Sequence, residues 1–413
     1  MWAPAQAATS GAAGTGNNLA PMPTARNFLA AATGLDGRIH AFGGAAGDGS
    51  VLNTVEAYDP ASNSWSTEAS MPTARWGLAA AVGPDGKIYA IGGANDNGSA
   101  LSAVEAYDPV ANTWDAQTPM PTARSGLAAV IASDGKIYAI GGVHAGLNAV
   151  GTVEAFDPAT DSWGTEAPMP TARSNLAAVT AASGKIYAIG GRDNAGKPVS
   201  TVEVYDPTTN SWSTEKPMPT ARVALAAAAT PDGRIYGIGG LGSDDSVLGT
   251  VEAYDPATNS WSTKAAMPSA RWGLAATIGP DGKIYAIGGV EPLGLAGKIV
   301  GTVEAYAPST NSWGALTPLT VSVKLAHGRI KAGQKQTVSV MTAPNVRVTV
   351  VVKFPDGSRK TRTGTANSEG KFTWSFKQPP GRAQSHNLSA KVTVTVKRGD
   401  ELPKSASKQY RIA

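Results

Sequence analysis

The sequence predicts an all-β protein in two parts, a propeller of six four-stranded blades followed by a β-sandwich. Three observations support this fold class. A unit of 49 residues recurs six times, each unit contains four short strand patterns, and the period ends near residue 318, where alternating strands of another kind begin. Four-stranded units of about 40–50 residues are typical of propeller blades rather than of helical repeats.

The repeat is clearest in a Met-Pro-Thr-Ala-Arg segment, which has Ser in place of Thr in the last unit. Its arginines follow one another at intervals of 49 residues: Arg26, Arg75, Arg124, Arg173, Arg222 and Arg271. Gly-Gly pairs keep the same step from Gly43 to Gly288, and a tryptophan keeps it from Trp65 to Trp261. So strict a period indicates that all six units adopt one local structure.

Four strands can be assigned in each unit, here in the second. The first strand, 77–82, consists of small apolar residues, and Gly86 marks a hairpin tip because glycine tolerates positive φ. The second strand, 87–93, ends in the Gly-Gly pair. The third centres on Tyr107 and ends at Asp-Pro, and the fourth begins at Trp114.

The Gly-Gly pair, a downstream aromatic residue and the tryptophan together resemble the kelch repeat, over residues 22–318. The aromatic positions are Tyr58, Tyr107, Phe156, Tyr205, Tyr254 and Tyr306. The resemblance implies a six-bladed kelch propeller in which these tyrosines and tryptophans pack between blades. We expect the ring to close by side-chain packing between blades one and six, with residues 1–21 as a flexible lead.

Residues 319–413 contain about seven alternating strands and resemble bacterial Ig-like surface modules. Residues 1–318 hold 17 Lys+Arg and 27 Asp+Glu, a net charge of −10, whereas residues 319–413 hold 18 and 4, a net charge of +14. A small domain this basic attracts polyanions, so we expect a spacer or a module for attachment to an anionic polymer. The alternative is a solvated face that attracts the acidic propeller.

The repeated arginines are the first candidate ligand-binding residues. The kelch resemblance implies that the loops joining strands two and three share a face with these arginines, which would then form an anion-reading ring around the channel mouth. Guanidinium groups bind carboxylates bidentately. The alternative is pairing with the equally repeated glutamates, Glu56, Glu105, Glu154, Glu203, Glu252 and Glu304. We favour a structural role for most arginines, with a minority left for ligand.

Departures from the repeat give further candidates. Trp76 and Trp272 follow the arginine only in blades two and six, and Phe28 lies one place further along in blade one. Aromatic rings at a channel mouth could stack on sugars or cap a peptide, although packing against the first strands is an equal alternative. The variable loops add His144, Arg192 and Asp193. A solvated loop is the alternative for each.

The function classes that the sequence excludes are mainly those that need cysteine. There is no Cys, which removes disulfides, thiol nucleophiles, Cys-ligated zinc and a galactose-oxidase-like copper site. We predict no catalytic residue, no metal site and no cofactor, and a non-enzymatic binding or adhesion protein for a protein or carbohydrate ligand. The alternative is a carbohydrate-active enzyme resembling a sialic-acid mutarotase of kelch type, although no unique Glu–His pair marks a centre.

The remaining expectations concern partners and location. Aromatic residues do not interleave with the basic residues, so specific nucleic-acid recognition is not expected. No run approaches the roughly 18 apolar residues of a transmembrane helix. We expect a monomer at the cell surface or outside the cell, with its export signal outside this sequence, and keep a cytoplasmic location as the alternative.

Overall fold

The computed structural model describes residues 19–144, 148–293, 297–314, 322–327, 329–330, 334–342, 347–354, 356–367, 371–377, 388–397 and 404–412. In these ranges, six four-stranded antiparallel sheets follow one another along the chain. In every sheet the strands neighbour one another in chain order, so each sheet is a simple meander. The predicted six-bladed β-propeller is therefore confirmed.

The strands of the first three blades lie where the repeat predicts them. Blade one contains β1 (Ala30–Thr33), β2 (Ile39–Phe42), β3 (Val55–Asp59) and β4 (Ser64–Glu68). Blade two contains β5 (Ala79–Val82), β6 (Ile88–Ile91), β7 (Val104–Asp108) and β8 (Thr113–Ala116). Blade three contains β9 (Ala128–Ile131), β10 (Ile137–Ile140), β11 (Val153–Asp157) and β12 (Ser162–Glu166).

The last three blades repeat this layout, with one addition in blade six. Blade four contains β13 (Ala177–Thr180), β14 (Ile186–Ile189), β15 (Val202–Asp206) and β16 (Ser211–Thr214). Blade five contains β17 (Ala226–Ala229), β18 (Ile235–Ile238), β19 (Val251–Asp255) and β20 (Ser260–Thr263). Blade six contains β21 (Ala275–Ile278), β22 (Ile284–Ile287), a short hairpin of β23 (Val290–Glu291) and β24 (Lys298–Ile299), then β25 (Val303–Ala307) and β26 (Ser312–Gly314).

The first strand of each blade lines the central channel, and it contacts the first strands of both neighbouring blades. In blades one, two, four and five its residues alternate between buried and half-buried, as expected for a strand with one face towards a channel. The second strand is buried at all four positions because neighbouring blades cover both of its faces. A short, wholly apolar Ile-Tyr-Ala-Ile run fits this environment.

The repeated tyrosine and tryptophan fill the space between blades, as the kelch resemblance implies. Tyr107 and Trp114 of blade two contact each other with ring centroids 5.0 Å apart, and they pack against Phe42 of blade one. The Tyr107 hydroxyl donates to Asn112 Oδ1 at 2.9 Å, and Trp114 Nε1 donates to the Ala69 carbonyl at 2.8 Å. Both polar tips are therefore satisfied, and these residues are scaffold.

Blades six and one close the ring with the same kind of contact. The Tyr58 and Tyr285 rings lie 5.8 Å apart, and Leu19 is buried in the same cluster. Trp65 Nε1 donates to the Ala20 carbonyl at 2.9 Å. Leu19 and Ala20 thus belong to the propeller, which corrects the predicted boundary at residue 22. The rest of the predicted lead, 1–18, lies outside the described residues, as does the predicted boundary between 318 and 319.

A closed ring of main-chain hydrogen bonds surrounds the channel axis. Each blade contributes to it the residue that follows the repeated arginine by two positions. Gly77 N–H donates to the Phe28 carbonyl, each later blade donates to the one before it, and Phe28 N–H donates to the Gly273 carbonyl. The members are Phe28, Gly77, Gly126, Asn175, Ala224 and Gly273, with N···O distances of 2.7–2.9 Å. All six have φ between 48 and 62°, a region that favours glycine. Backbone bonds therefore join the blades as well as side-chain packing.

The C-terminal strands form two further sheets. Their strands are β27 (Ser322–Leu325), β28 (Arg329–Ile330), β29 (Lys335–Met341), β30 (Arg347–Lys353), β31 (Arg359–Thr365), β32 (Lys371–Lys377), β33 (Leu388–Lys397) and β34 (Lys404–Ile412). One sheet has the order β27-β29-β32 and the other the order β28-β34-β33-β30-β31. Valines from both sheets share one core, with Trp374 packed against it, so the two sheets form a sandwich. The Ig-like assignment stays a prediction.

Alkaline pH is expected to destabilise the propeller through its buried tyrosines. Burial raises the pKa of Tyr306 to about 12, and burial together with Glu68 raises that of Tyr107. An unfolded tyrosine titrates near about pH 10, so the folded state favours the neutral phenol. Stability should be constant below about pH 10 and should fall as pH rises through about 12.

The measurement is the urea midpoint at a series of pH values, together with the ultraviolet absorbance of tyrosinate. Tyrosines that ionise near about pH 10 in the folded protein, without loss of stability, would contradict this account of the blade interfaces.

Candidate ligand-binding face

The loops between strands two and three lie at the same end of the propeller as the Met-Pro-x-x-Arg segments. In blades one and two, Met71 N–H donates to the Asn53 carbonyl at 2.8 Å and Arg75 N–H donates to the Leu52 carbonyl at 3.1 Å. The bond from the methionine N–H recurs in every other blade, and the bond from the arginine N–H recurs in blades three, five and six. This end, called the mouth face below, therefore carries both the arginine segments and the variable loops, as expected from the sequence.

The arginine of each segment is buried inside its own blade rather than displayed on the mouth face. Arg75 has no exposed surface, and its Nη2 donates to Glu105 Oε2 at 2.6 Å. Its Nη1 donates to the carbonyls of Gly92 at 3.1 Å and Ala103 at 2.8 Å. Burial lowers the pKa of Arg75 and Glu105 opposes the shift. The guanidinium stays charged because an arginine does not lose its proton in proteins.

All six blades contain the same ion pair. The pairs are Arg26–Glu56, Arg75–Glu105, Arg124–Glu154, Arg173–Glu203, Arg222–Glu252 and Arg271–Glu304. All six arginines are wholly buried, and all six glutamates are at most 5% exposed. The expectation that a minority of these arginines faces a ligand is therefore wrong for this structure, and pairing with the repeated glutamate is what the contacts show.

The arginine main chain also joins neighbouring blades and explains the Gly-Gly pair. The Arg75 carbonyl accepts a hydrogen bond from Gly44 N–H of blade one at 2.9 Å. A Cβ atom at Gly43 would lie 2.5 Å from the same carbonyl oxygen, and both glycines have positive φ. Only glycine fits this close approach.

The mouth face carries one aromatic patch, formed by Phe28, Trp76 and Trp272. Phe28 lies between the two tryptophans, with ring centroids 5.6 Å from Trp76 and 5.5 Å from Trp272. All three side chains are half-buried, so part of each ring faces solvent. Blades six, one and two are neighbours, so the patch covers one half of the mouth. The sequence singled out the two tryptophans and Phe28 separately, and the structure brings all three together.

The side chains on the opposite half of the mouth are smaller and more polar than the aromatic patch. Ser125, Ser174 and Val223 occupy the positions that the tryptophans take in blades two and six, and Asn175 is a member of the main-chain ring. A cavity of about 100 Å³ lies at the axis and is lined by that ring. Arg192 bridges to Ser174 through its main chain and is exposed. It therefore places a cation in blade four, across the ring from blade one.

The other loop candidates are either exposed or bonded within their own turns. His144 is exposed on the loop of blade three. Asp193 is half-buried, and its carboxylate accepts a hydrogen bond from Lys197 N–H at 2.9 Å, which closes its own turn. Asp244 does the same for Ser246. Within the described ranges, no group of three His, Cys, Asp or Glu side chains is placed to hold a metal ion.

The opposite end of the channel differs in chemistry. It encloses about 320 Å³, lined by alanines at positions 31, 80, 129, 178, 227 and 276 and by aliphatic and threonine residues below them. The hydroxyls of Thr33 and Thr180 donate to the carbonyls of the neighbouring blades. His40, also towards this end, is buried and contacts Asp36 at 3.1 Å. Burial alone would raise the pKa of Asp36, but hydrogen bonds from His40 and Arg38 outweigh it and lower the pKa to about 2.

Breaking one buried ion pair should destabilise the fold. Arg75→Met leaves the Glu105 carboxylate buried without its partner, and we expect a loss of about 3–5 kcal/mol in the free energy of unfolding. The double variant Arg75→Met/Glu105→Gln removes the stranded charge, so it should be more stable than the single variant. Denaturation midpoints measure both effects.

The control is Lys87→Met, which breaks the exposed ion pair between Lys87 and Asp115 and should cost less than about 1 kcal/mol. Equal stability of Arg75→Met and the unmodified chain would contradict the scaffold role of the arginine.

Comparison with known proteins agrees with this architecture. A family model described as the KLHDC2/KLHL20/DRC7 Kelch-repeats domain matches residues 16–167 and 148–330. The fold is similar to the solved structure of YjhT, with 18% identity and a TM-score of 0.61 over 71% of this chain and 98% of that chain. It is also similar to a fungal alcohol oxidase of the AA5 family in complex with copper, with 15% identity and a TM-score of 0.52 over 97% and 99% of the two chains. A search of curated protein sequences finds no significant match. The family match spans more than half of the chain, which therefore belongs to the kelch-repeat proteins.

Proposed function

We propose that this kelch propeller is a non-enzymatic binding protein whose mouth face recognises a peptide segment carrying an apolar and an acidic side chain. The observation that carries the proposal is the asymmetry of a face built on six near-identical blades. The aromatic patch covers one half of the mouth, and Arg192 lies across the ring from it. In the proposal the basic C-terminal domain acts as a spacer or as an attachment module.

The aromatic patch provides the apolar half of the recognition. Tryptophan and arginine are the residues most often found at the energetic centre of protein interfaces. Phe28 holds the two tryptophans apart in a fixed arrangement, so little side-chain entropy is lost when a ligand packs on them. The cavity of about 100 Å³ is smaller than a small-molecule site of roughly 300–1,000 Å³. A ligand therefore has to spread over the face rather than enter the channel.

Arg192 provides the charged half. The six repeated arginines are paired inside the blades, whereas Arg192 is exposed and, in the part of the chain that the structure describes, forms no ion pair. The residues at this position in the other blades are Ala45, Ala94, Val143, Leu241 and Val290. One guanidinium on an otherwise apolar ring of positions favours a single carboxylate as its partner, bound bidentately.

Carbohydrate recognition is the alternative that the same patch permits, because indole rings also stack on sugars. Turnover of a sugar would further need an acid–base pair in the mouth. The buried carboxylates closest to the mouth, Glu56 and its five equivalents, are each held by an arginine. This arrangement favours binding over catalysis, and the solved structures that are similar at 15–18% identity bear on the fold alone.

The experiment is to select the full chain against a random-peptide display library and, in parallel, to probe a glycan array and a mutarotation assay with sialic acid. We expect enrichment of peptides with an aromatic or aliphatic residue close to Asp, Glu or a free C-terminus. Trp76→Ala and Trp272→Ala should each weaken the best peptide about tenfold or more, as the loss of a hot-spot residue does. Arg192→Ala should weaken acidic peptides selectively.

The matched control is Arg234→Ala. It removes an exposed arginine from the hairpin that joins β17 and β18, at the other end of the propeller. It should leave peptide affinity unchanged. Peptide binding that survives Trp76→Ala and Arg192→Ala would contradict the proposed face. Hits confined to glycans, or turnover of sialic acid, would favour the carbohydrate alternative instead.

A further inference from the structure

The outer face of the five-stranded C-terminal sheet has a regular chemical pattern. On β30 and β33 the valines at 348, 350, 352, 392, 394 and 396 are wholly buried in the core. The residues between them therefore point to the other face, because side chains alternate along a strand. Strand pairing sets these residues side by side in rows that run across β31, β30, β33 and β34.

One of these rows is cationic. Lys353 is paired in register with Arg359 on one side and with Lys391 on the other, and all three side chains are exposed. Directly opposed residues in an antiparallel sheet have Cα atoms only about 4.5–5.5 Å apart, and like charges placed there repel each other. Arg347 adds a further exposed cation at the far end of β30, about 20 Å away at about 3.3 Å per residue.

Hydroxyl groups fill the space between the two ends. One row consists of Thr363, Thr349, Thr395 and Ser405, in register across four strands. Two pairs in this row contact each other, Thr349 with Thr363 at 3.2 Å and Thr395 with Ser405 at 2.9 Å. The adjacent row contains Thr361, Val351, Thr393 and Ser407.

The face contains no carboxylate among its described positions. The nearest acidic residue in the sequence is Asp356 at the β30–β31 hairpin, and its carboxylate accepts hydrogen bonds from the Ser358 amide and hydroxyl. Lys360 lies on the opposite side of β31, where its ammonium group is 5.9 Å from the Phe376 ring. No described carboxylate of the face therefore offsets the repulsion in the cationic row, whereas an external anion would offset it.

We propose that this outer face binds a linear anionic polysaccharide. The cationic row and Arg347 bind its sulfate, phosphate or carboxylate groups, and the threonine and serine rows hydrogen-bond to its sugar hydroxyls. This inference deepens the attachment role proposed above for the basic domain, and it is independent of what the propeller binds.

The hydroxyl rows distinguish a polysaccharide from other polyanions. A membrane surface favours apolar or aromatic residues that insert below the headgroups, and single-stranded nucleic acid favours aromatic rings that stack on bases. The described positions of the face offer neither kind of side chain, apart from Val351. An array of hydroxyls flanked by cations matches a ligand that itself alternates hydroxyls and anions.

The test measures binding of the full chain to immobilised heparin, used as a sulfated polysaccharide probe, over a range of salt concentrations. Lys353→Gln/Arg359→Gln/Lys391→Gln should weaken binding about tenfold or more and flatten the salt dependence, because charge-assisted contacts are lost. The matched control, Lys335→Gln/Lys371→Gln/Lys377→Gln, removes as much charge from exposed positions of the other sheet and should have a much smaller effect.

A second variant tests the hydroxyl rows without changing charge. Thr349→Val/Thr395→Val keeps residues that favour strands and should weaken heparin binding by several-fold. Circular dichroism confirms that each variant is folded. Equal losses in the two charge variants would show an effect of net charge alone and would overturn the proposed face, while attachment to polyanions would stand.

The remaining outcomes separate this inference from the proposed function. Absence of heparin binding by the unmodified chain would overturn both the face and the attachment role. Stronger binding to anionic phospholipid vesicles or to DNA than to heparin, unaffected by Thr349→Val/Thr395→Val, would overturn the polysaccharide as the ligand. Peptide capture by the mouth face is unaffected by each of these results.

Discussion

The buried pair of arginine and glutamate is the interaction on which the propeller depends. In blade two, the Arg75 side chain holds the second and third strands through Gly92, Ala103 and Glu105, while its main-chain carbonyl holds the preceding blade through Gly44. One residue thus sets the geometry within a blade and the register between blades. A buried charge without its partner is costly, so each arginine requires its glutamate and each close approach requires the Gly-Gly pair. This requirement explains why these residues recur every 49 positions in the sequence.

This constraint also bears on the recognition proposed for the mouth face. The repeated arginines and glutamates are buried, so in the proposed function a ligand is distinguished by the positions at which blades differ. At the mouth face those positions hold Phe28, Trp76 and Trp272 on one side and Arg192 on the other. The main-chain ring from Phe28 to Gly273 fixes their spacing, because each member is bonded to both neighbouring blades. The C-terminal sandwich presents its chemistry in another way, through cross-strand rows of like residues on one sheet face.

The fold could be predicted from the sequence because local residue patterns mark its turns and strands. Gly86 and its equivalents mark hairpins, and the alternating valines of β30 and β33 mark half-buried strands. The burial of Arg75 could not be decided, because Glu105 and the accepting carbonyls lie 15–30 residues away on other strands. The main-chain ring has no side-chain signature beyond the glycines at 77, 126 and 273. The sequence identified Trp76 and Trp272 by their departure from the repeat, but their meeting at Phe28 depends on the closure of blade six onto blade one.

The six repeated arginines are wholly buried, whereas Arg192 is exposed on the mouth face. The most direct measurement is to label the folded full chain with phenylglyoxal, a reagent for guanidinium groups, and to locate the modified residues by peptide mass spectrometry. We expect rapid modification of Arg192 and Arg234, and protection of the repeated arginines until the protein unfolds: Arg26, Arg75, Arg124, Arg173, Arg222 and Arg271. Rapid modification of any of those six in the folded protein would contradict their burial.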